Sequence, residues 1–205
     1  MTAQRGRPRS FDRQAALERA ALAFWEHGYE TTSISDLTTA LGIGAPSLYA
    51  AFGDKRQLFY EAVASYQATH GSFTARAMAE EPTARDAIVR ILREAATEYT
   101  SPDHPRGCLV ISAAQNCSPA SADVAKALRD TRNKNLRLLE DRIRSDVDSG
   151  ILPGDTDAHG LALFAAATTQ GMSQQARDGA GREDLEAIAE AAVRALPQSS
   201  ATACR

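Results

Sequence analysis

Residues 33–59, SISDLTTALGIGAPSLYAAFGDKRQLF, constrain this chain more than any other stretch, because two short helical patterns flank Gly42-Ile43-Gly44. Ser33 with Asp36 three residues on forms a capping-box pattern, and Ile34, Leu37 and Leu41 give the first helix its inner face. Pro46 then falls in the first turn of the second helix, where a missing N–H costs least, with Leu48 and Phe52 facing inward. Two helices joined by a three-residue glycine turn describe a helix–turn–helix or a plain αα-corner, and spacing alone does not separate them.

The flanking sequence does. Upstream, Asp12 to His27 places Leu17, Ala20, Ala21, Phe24 and Trp25 on one stripe, with Gly28 as its stop. Further upstream lies Arg5-Gly6-Arg7-Pro8-Arg9. Residues 1–20 carry five Arg against two acids, whereas residues 61–205 carry 16 Lys/Arg against 20 Asp/Glu. The net charge of -3 therefore hides a positive front end, where a phosphate backbone would be met.

The outward positions of the second short helix are Ala45, Pro46, Ser47, Tyr49 and Ala50. Ser47 can bond a base edge or a phosphate and Tyr49 a phosphate, while Pro46 and the alanines suit thymine methyls. Ser33 at a helix N-terminus and Lys55 just past the module suit phosphates. No Arg, Lys, Asn or Gln faces out, so strong bidentate reading of G or A is missing. Arg5-Gly6-Arg7-Pro8 resembles the core of an AT-hook, so Arg5, Arg7 and Arg9 are candidates for a neighbouring minor groove.

The rest of the chain reads as helix almost throughout, about nine helices in all. A fourth begins at Lys55 after an Asp54 cap, with Leu58, Phe59, Ala62, Val63 and Tyr66 as its stripe, and Gly71 ends or bends it. Later helices span roughly Thr83–Thr100, Gly107–Gln115, Ser121–Ser149, Asp157–Arg177 and Arg182–Leu196. The longest apolar run, Leu161 to Ala167, is far short of the roughly 20 residues needed to span a bilayer. Without a secretory signal, CxxC or even cysteine framework, the chain reads as cytoplasmic. It also reads as a non-enzyme, with no cofactor and no metal: its histidines are scattered, and Leu41-Gly-Ile-Gly44 lacks the third glycine and preceding strand of a dinucleotide fingerprint.

At this point the pattern is familiar. Ser33-Ile34-Ser35-Asp36-Leu37, Leu41-Gly42-Ile43, Ser47 to Lys55 and Leu58-Phe59 resemble the N-terminal signature of TetR/AcrR-type transcriptional regulators, over about residues 10–60. The resemblance implies an all-α homodimer, usually a repressor, that binds a palindromic operator and releases it when a small molecule enters the C-terminal domain. It implies a DNA-binding domain over residues 1–54 and a ligand-binding and dimerisation domain over 55–205. By position, Ser33 stands where the family has a phosphate-contacting Thr, Tyr49 and Lys55 match phosphate contacts, and Ala45, Pro46 and Ser47 open the recognition helix. Ala50 and Ala51 depart from the family's polar or basic choice.

Dimerisation is expected through the last two helices, with Leu161, Leu163, Phe164 and Ala165 to Ala167 on one and Leu185, Ile188, Ala192 and Leu196 on the other. Polar groups on otherwise apolar helices nominate an effector pocket from Tyr66, His70, Tyr99, Ser112, Gln115, Thr168 and Met172. Cys108, in Arg106-Gly107-Cys108-Leu109, sits beside a cation near a helix start, two influences that lower a thiol's pKa. The commonest fate of a free Cys is that of a small buried hydrophobe, and that is the expectation for Cys108, with redox or electrophile sensing as the alternative.

Overall fold

The computed structural model describes residues 11–198. Arg5, Arg7, Arg9 and the AT-hook-like tail lie outside them, as does Cys204. Among the described residues the chain is all-α, with helices α1 (Arg13–His27), α2 (Ile34–Leu41), α3 (Ala45–Phe52), α4 (Lys55–Ala68), α5 (Ser72–Glu80), α6 (Ala84–Glu98), α7 (Leu109–Ser112), α8 (Ala122–Asp148), α9 (Ala158–Arg177) and α10 (Arg182–Ala195).

The caps explain most boundaries. The Asp12 carboxylate accepts from the N–H groups of Gln14 and Ala15 at the start of α1, and Asp54 accepts from Gln57 at the start of α4. Thr83 caps α6 through the Asp86 N–H, and Asp157 caps α9 through Gly160. Each such cap contributes about 1 kcal/mol by satisfying an otherwise orphaned donor. The α6 start has a second anchor: the buried Asp146 carboxylate of α8 accepts the Ala84 N–H at 2.6 Å.

Two regions differ in detail from expectation. Of the two outcomes expected at Gly71 the helix ends rather than bends, stopping at Ala68, and Ser72–Glu80 forms a separate α5, making ten α-helices among the described residues where about nine were expected. A side chain at Gly71 would place its Cβ 2.7 Å from the Tyr66 ring, so the chain turns back tightly there. The helix expected over Gly107–Gln115 shrinks to the four residues of α7, because Cys108 is extended and Ala113 already leaves the helix as a turn.

α1, α2 and α3 form a compact head on the N-terminal part of α4, and α4 then runs into a body of α5 to α10. An aromatic knot joins α1 to α4: Phe24 meets Phe59 edge-on at 5.0 Å between centroids, and Trp25 meets Tyr66 at 4.7 Å. In the body, α10 covers α6, and α9 packs on α8. This corrects the assignment of the α10 stripe to a subunit surface. Leu185, Ala192 and Leu196 are buried within the chain and Ile188 half-buried, since α6 needs an apolar cover of its own. The exposed large apolar residues of α9 are Leu163 and Phe164.

Candidate nucleic-acid interface

The turn between α2 and α3 is built from backbone. The Gly42 N–H donates to the Thr39 carbonyl and the Ile43 N–H to Thr38, closing α2 as a Schellman motif. That motif needs one left-handed residue, and Gly42 supplies it at φ +67°. Ile43 packs back on the core, and the Gly44 carbonyl accepts from Ser47 and Leu48 to start α3, with Pro46 in its first turn.

Leu48 and Phe52 anchor α3 in the core, which turns its opposite face to solvent. Pro46 and Ala50 are exposed there, Ala45 and Ser47 half-exposed, and Tyr49 stands 48% exposed although it is a large aromatic. The helix cannot roll freely about its axis. Arg13 of α1 donates to the Ala51 carbonyl at 3.3 Å, pairs with Glu61 of α4 at 2.7 Å, and lies over the Phe52 ring at 4.5 Å. Arg19 likewise donates to the Leu41 carbonyl at the end of α2. In the sequence these two arginines register only as positive charge; their targets are backbone carbonyls 38 and 22 residues away, which no local pattern announces.

The two flanking candidates are partly engaged. The Ser33 hydroxyl donates to Asp36 at 2.7 Å and accepts the Asp36 N–H, and Asp36 accepts the Ser33 N–H, completing the capping box. Those hydrogen bonds hold the Asp36 carboxyl below its usual range. A phosphate contact by Ser33 therefore requires its proton to turn away from Asp36. Lys55 donates to the Glu30 carbonyl at 3.4 Å and sits over the Tyr29 ring at 4.4 Å. Burial lowers its pKa, opposed by the charge of Glu30.

Below the head, a cavity of about 150 Å³ opens between α4, α5, α6, α7, α8 and α9. Of the expected pocket residues, Tyr66 and Tyr99 line it, as does Cys108. Five do not. Ser112 turns its hydroxyl onto the Cys108 carbonyl, and Thr168 bonds the Phe164 carbonyl. Gln115 is exposed on the loop after α7, Met172 is buried elsewhere in the core, and His70 sits outside with Glu98 and His104. The remaining polar lining comes from Gln67, Thr74, Arg132, Asn135, Thr169 and Gln170. Arg132 and Asn135 belong to the charged α8, where they read as solvated surface; Thr169 is one position from the residue chosen.

Cys108 is the small buried hydrophobe expected of it, and the lowered thiol pKa that the sensing alternative needs is not found. Burial pushes its thiol pKa up, against hydrogen bonds that favour the thiolate, and the Tyr66 hydroxyl donates to its sulfur at 3.3 Å. Arg106, expected to lower that pKa, donates instead to the carbonyls of Ala176 and Ala180. A one-turn α7 also offers little helix dipole.

Comparison with known proteins agrees with this architecture. Residues 16–62 match the model for bacterial regulatory proteins of the tetR family, and residues 88–192 match the tetracyclin repressor-like C-terminal domain. The HTH-type transcriptional repressor ComR of Escherichia coli (strain K12) is 37% identical over 195 residues, covering 95% of this chain and 93% of that protein. A cysteine mutant of the TetR family transcriptional regulator CifR, solved in complex with 26-bp double-strand operator DNA, is 45% identical with a TM-score of 0.89, covering 94% of this chain and all of that one. A TetR-type regulator from Rhodococcus sp. RHA1 is 38% identical with a TM-score of 0.62, covering 90% of this chain and 99% of that one. The three-helix head, its backbone-built turn and the helical body thus place this chain in the TetR family of DNA-binding transcriptional regulators.

Proposed function

We propose that this protein is a dimeric repressor whose two α3 helices enter successive major grooves of a palindromic operator, and that a small molecule in the body's cavity releases it. The observation that carries the reading is the outward face of α3. Pro46, Tyr49 and Ala50 are held at the surface by a helix whose other face is locked, and among the described residues nothing covers them. The DNA contacts we assign are Ala45, Pro46 and Ser47 to bases, Ser33, Tyr49 and Lys55 to phosphates, and Arg5, Arg7 and Arg9 to an adjacent minor groove. The head then comprises residues 1–54, with 55–205 as the effector and dimer domain.

One head buries too little to select a genomic site, and two-fold pairing supplies the second. Leu163 and Phe164 are 44% and 40% exposed on α9, with Ala167 and Gly171 following on the same face. Small residues there permit close approach of a second copy, and exposed Ala187 and Ala191 of α10 extend the surface.

The cavity reaches the head through two elements. Tyr66 and Gln67 belong to α4, and Val110 and Ile111 to α7, just before Ala113, whose carbonyl accepts the Tyr29 N–H of the head at 2.7 Å. A ligand that fits better when these elements shift lowers operator affinity by its differential binding alone. The mainly apolar lining with Arg132 and Asn135 at one side suits an apolar molecule bearing an acceptor or anionic end. Selection of bound fragments from genomic DNA, followed by footprinting, tests the reading. Two protected half-sites about 10 bp apart support it; a protein that retains no fragment above random DNA refutes it.

A further inference from the structure

We propose that His70, Glu98 and His104 form a binding site for one divalent transition-metal ion of the zinc type. In the sequence the histidines are scattered and no metal is expected; His70 and His104 are 34 positions apart and Glu98 sits on a third element. The fold brings them together: His104 Nε2 lies 3.0 Å and His70 Nδ1 3.1 Å from the same Glu98 oxygen, and the three ligand atoms lie within 4.8 Å of one another.

The proton inventory at His104 points to a cation. Its Nδ1 is 3.0 Å from the Pro105 carbonyl oxygen, which can only accept, so the ring proton belongs there. Nε2 of a neutral ring then aims a lone pair at a carboxylate oxygen 3.0 Å away. Two acceptors at that distance need a second proton or a metal ion between them. A ring that donates one nitrogen to a backbone carbonyl and offers the other is also the usual setting of a metal-binding histidine.

The distances suit a small ion. Tetrahedral bonds of about 2.0–2.1 Å separate donors by about 3.3–3.5 Å, within a few tenths of an ångström of both contacts to Glu98. Two imidazoles and one carboxylate are donors for zinc, nickel or copper rather than calcium or magnesium. The rings are pre-set: Trp25 stacks on His104 at 4.5 Å with planes 22° apart, and His70 meets His104 edge-on at 4.5 Å. The His104 side chain is 3% exposed and that of His70 42%, so an ion has a fixed inner ligand and an open entry side.

The location gives the site a consequence. His70 follows the end of α4, the helix that carries the head, while Glu98 ends α6 and His104 lies in the loop before α7. An occupied site ties α4 to the body directly over Trp25 of α1, and so biases the head's angle; this part rests on the operator reading above.

The test uses the full-length protein, ZnCl2 alone in calorimetry, and CoCl2 as a spectroscopic substitute. One ion per chain with micromolar or tighter affinity is expected, and a cobalt spectrum without thiolate charge-transfer bands. His70→Ala, whose side chain is 42% exposed, and Glu98→Gln should each weaken binding by at least about 10-fold, with circular dichroism unchanged. Affinity equal in wild type and both variants, or a thiolate band placing the ion on cysteines, overturns the site. These measurements need no DNA, so they stand or fall apart from the operator reading. Operator affinity that zinc leaves unchanged in wild type would overturn the link to the head.

Discussion

The guanidinium of Arg13 donates to the Ala51 carbonyl at 3.3 Å and so ties the first helix of the head to the last turn of its reading helix. The same group pairs with Glu61, but both side chains are about one-third exposed, so the ion pair adds little to global stability. Its effect is positional. Arg13→Met should leave the melting temperature within about 2 °C, raise the operator Kd about 10-fold, and speed amide exchange in α3 selectively. Unchanged operator affinity would show that α3 is held by Leu48 and Phe52 alone.

Lys55 is assigned a single phosphate. Lys55→Gln should reduce the magnitude of the slope of log K against log salt by about 0.9 per protomer, roughly equally for all operator variants. A slope that does not move would leave Lys55 with only its contacts to Tyr29 and Glu30.

The pairing surface is tested on α9. Phe164→Asp removes an exposed apolar ring and places a charge in the proposed interface without touching the buried core. Sedimentation should show dimers for the wild type and monomers for the variant, and operator binding should fall by at least about 100-fold, while helicity stays the same. A dimeric variant would move the interface elsewhere.

Cys108 should behave as a buried thiol. Its folded pKa is raised above 9.0 by desolvation, so its neutral form is favoured in the native state. That contribution is fully present below the unfolded pKa and is lost as pH rises through the folded value. Stability should therefore decline on the alkaline side, and Cys108→Ala should flatten the decline. Alkylation at neutral pH should be much slower in the native protein than in urea; equal rates would revive the sensing role.

The head was legible in the sequence because its determinants are local. Ser33 with Asp36, Gly42 two residues before Gly44, and Pro46 each act within a few positions, and a pattern of Leu37, Leu41, Leu48 and Phe52 repeats at helical spacing. The α10 stripe misled for the opposite reason: period gives an apolar face but not whether α6 of the same chain or a second copy covers it. The cavity was half legible, since Tyr66 and Tyr99 are polar groups on buried stripes, while Arg132 and Asn135 gain their roles from where α8 crosses the body. The His70–Glu98–His104 cluster had no sequence signal, because the turn at Gly71 and the loop at 101–105 assemble it in space.

The central claim is that the outer face of α3 lies in the major groove. Ala50 sits exposed on that face and carries no side chain beyond Cβ, so a photo-crosslinking residue fits there without repacking. On a footprinted operator, illumination should join position 50 to bases in two places about 10 bp apart, one per half-site. Bound protein that gives no crosslink from position 50, yet does from exposed Leu138 on α8 carrying the same residue, would contradict the account.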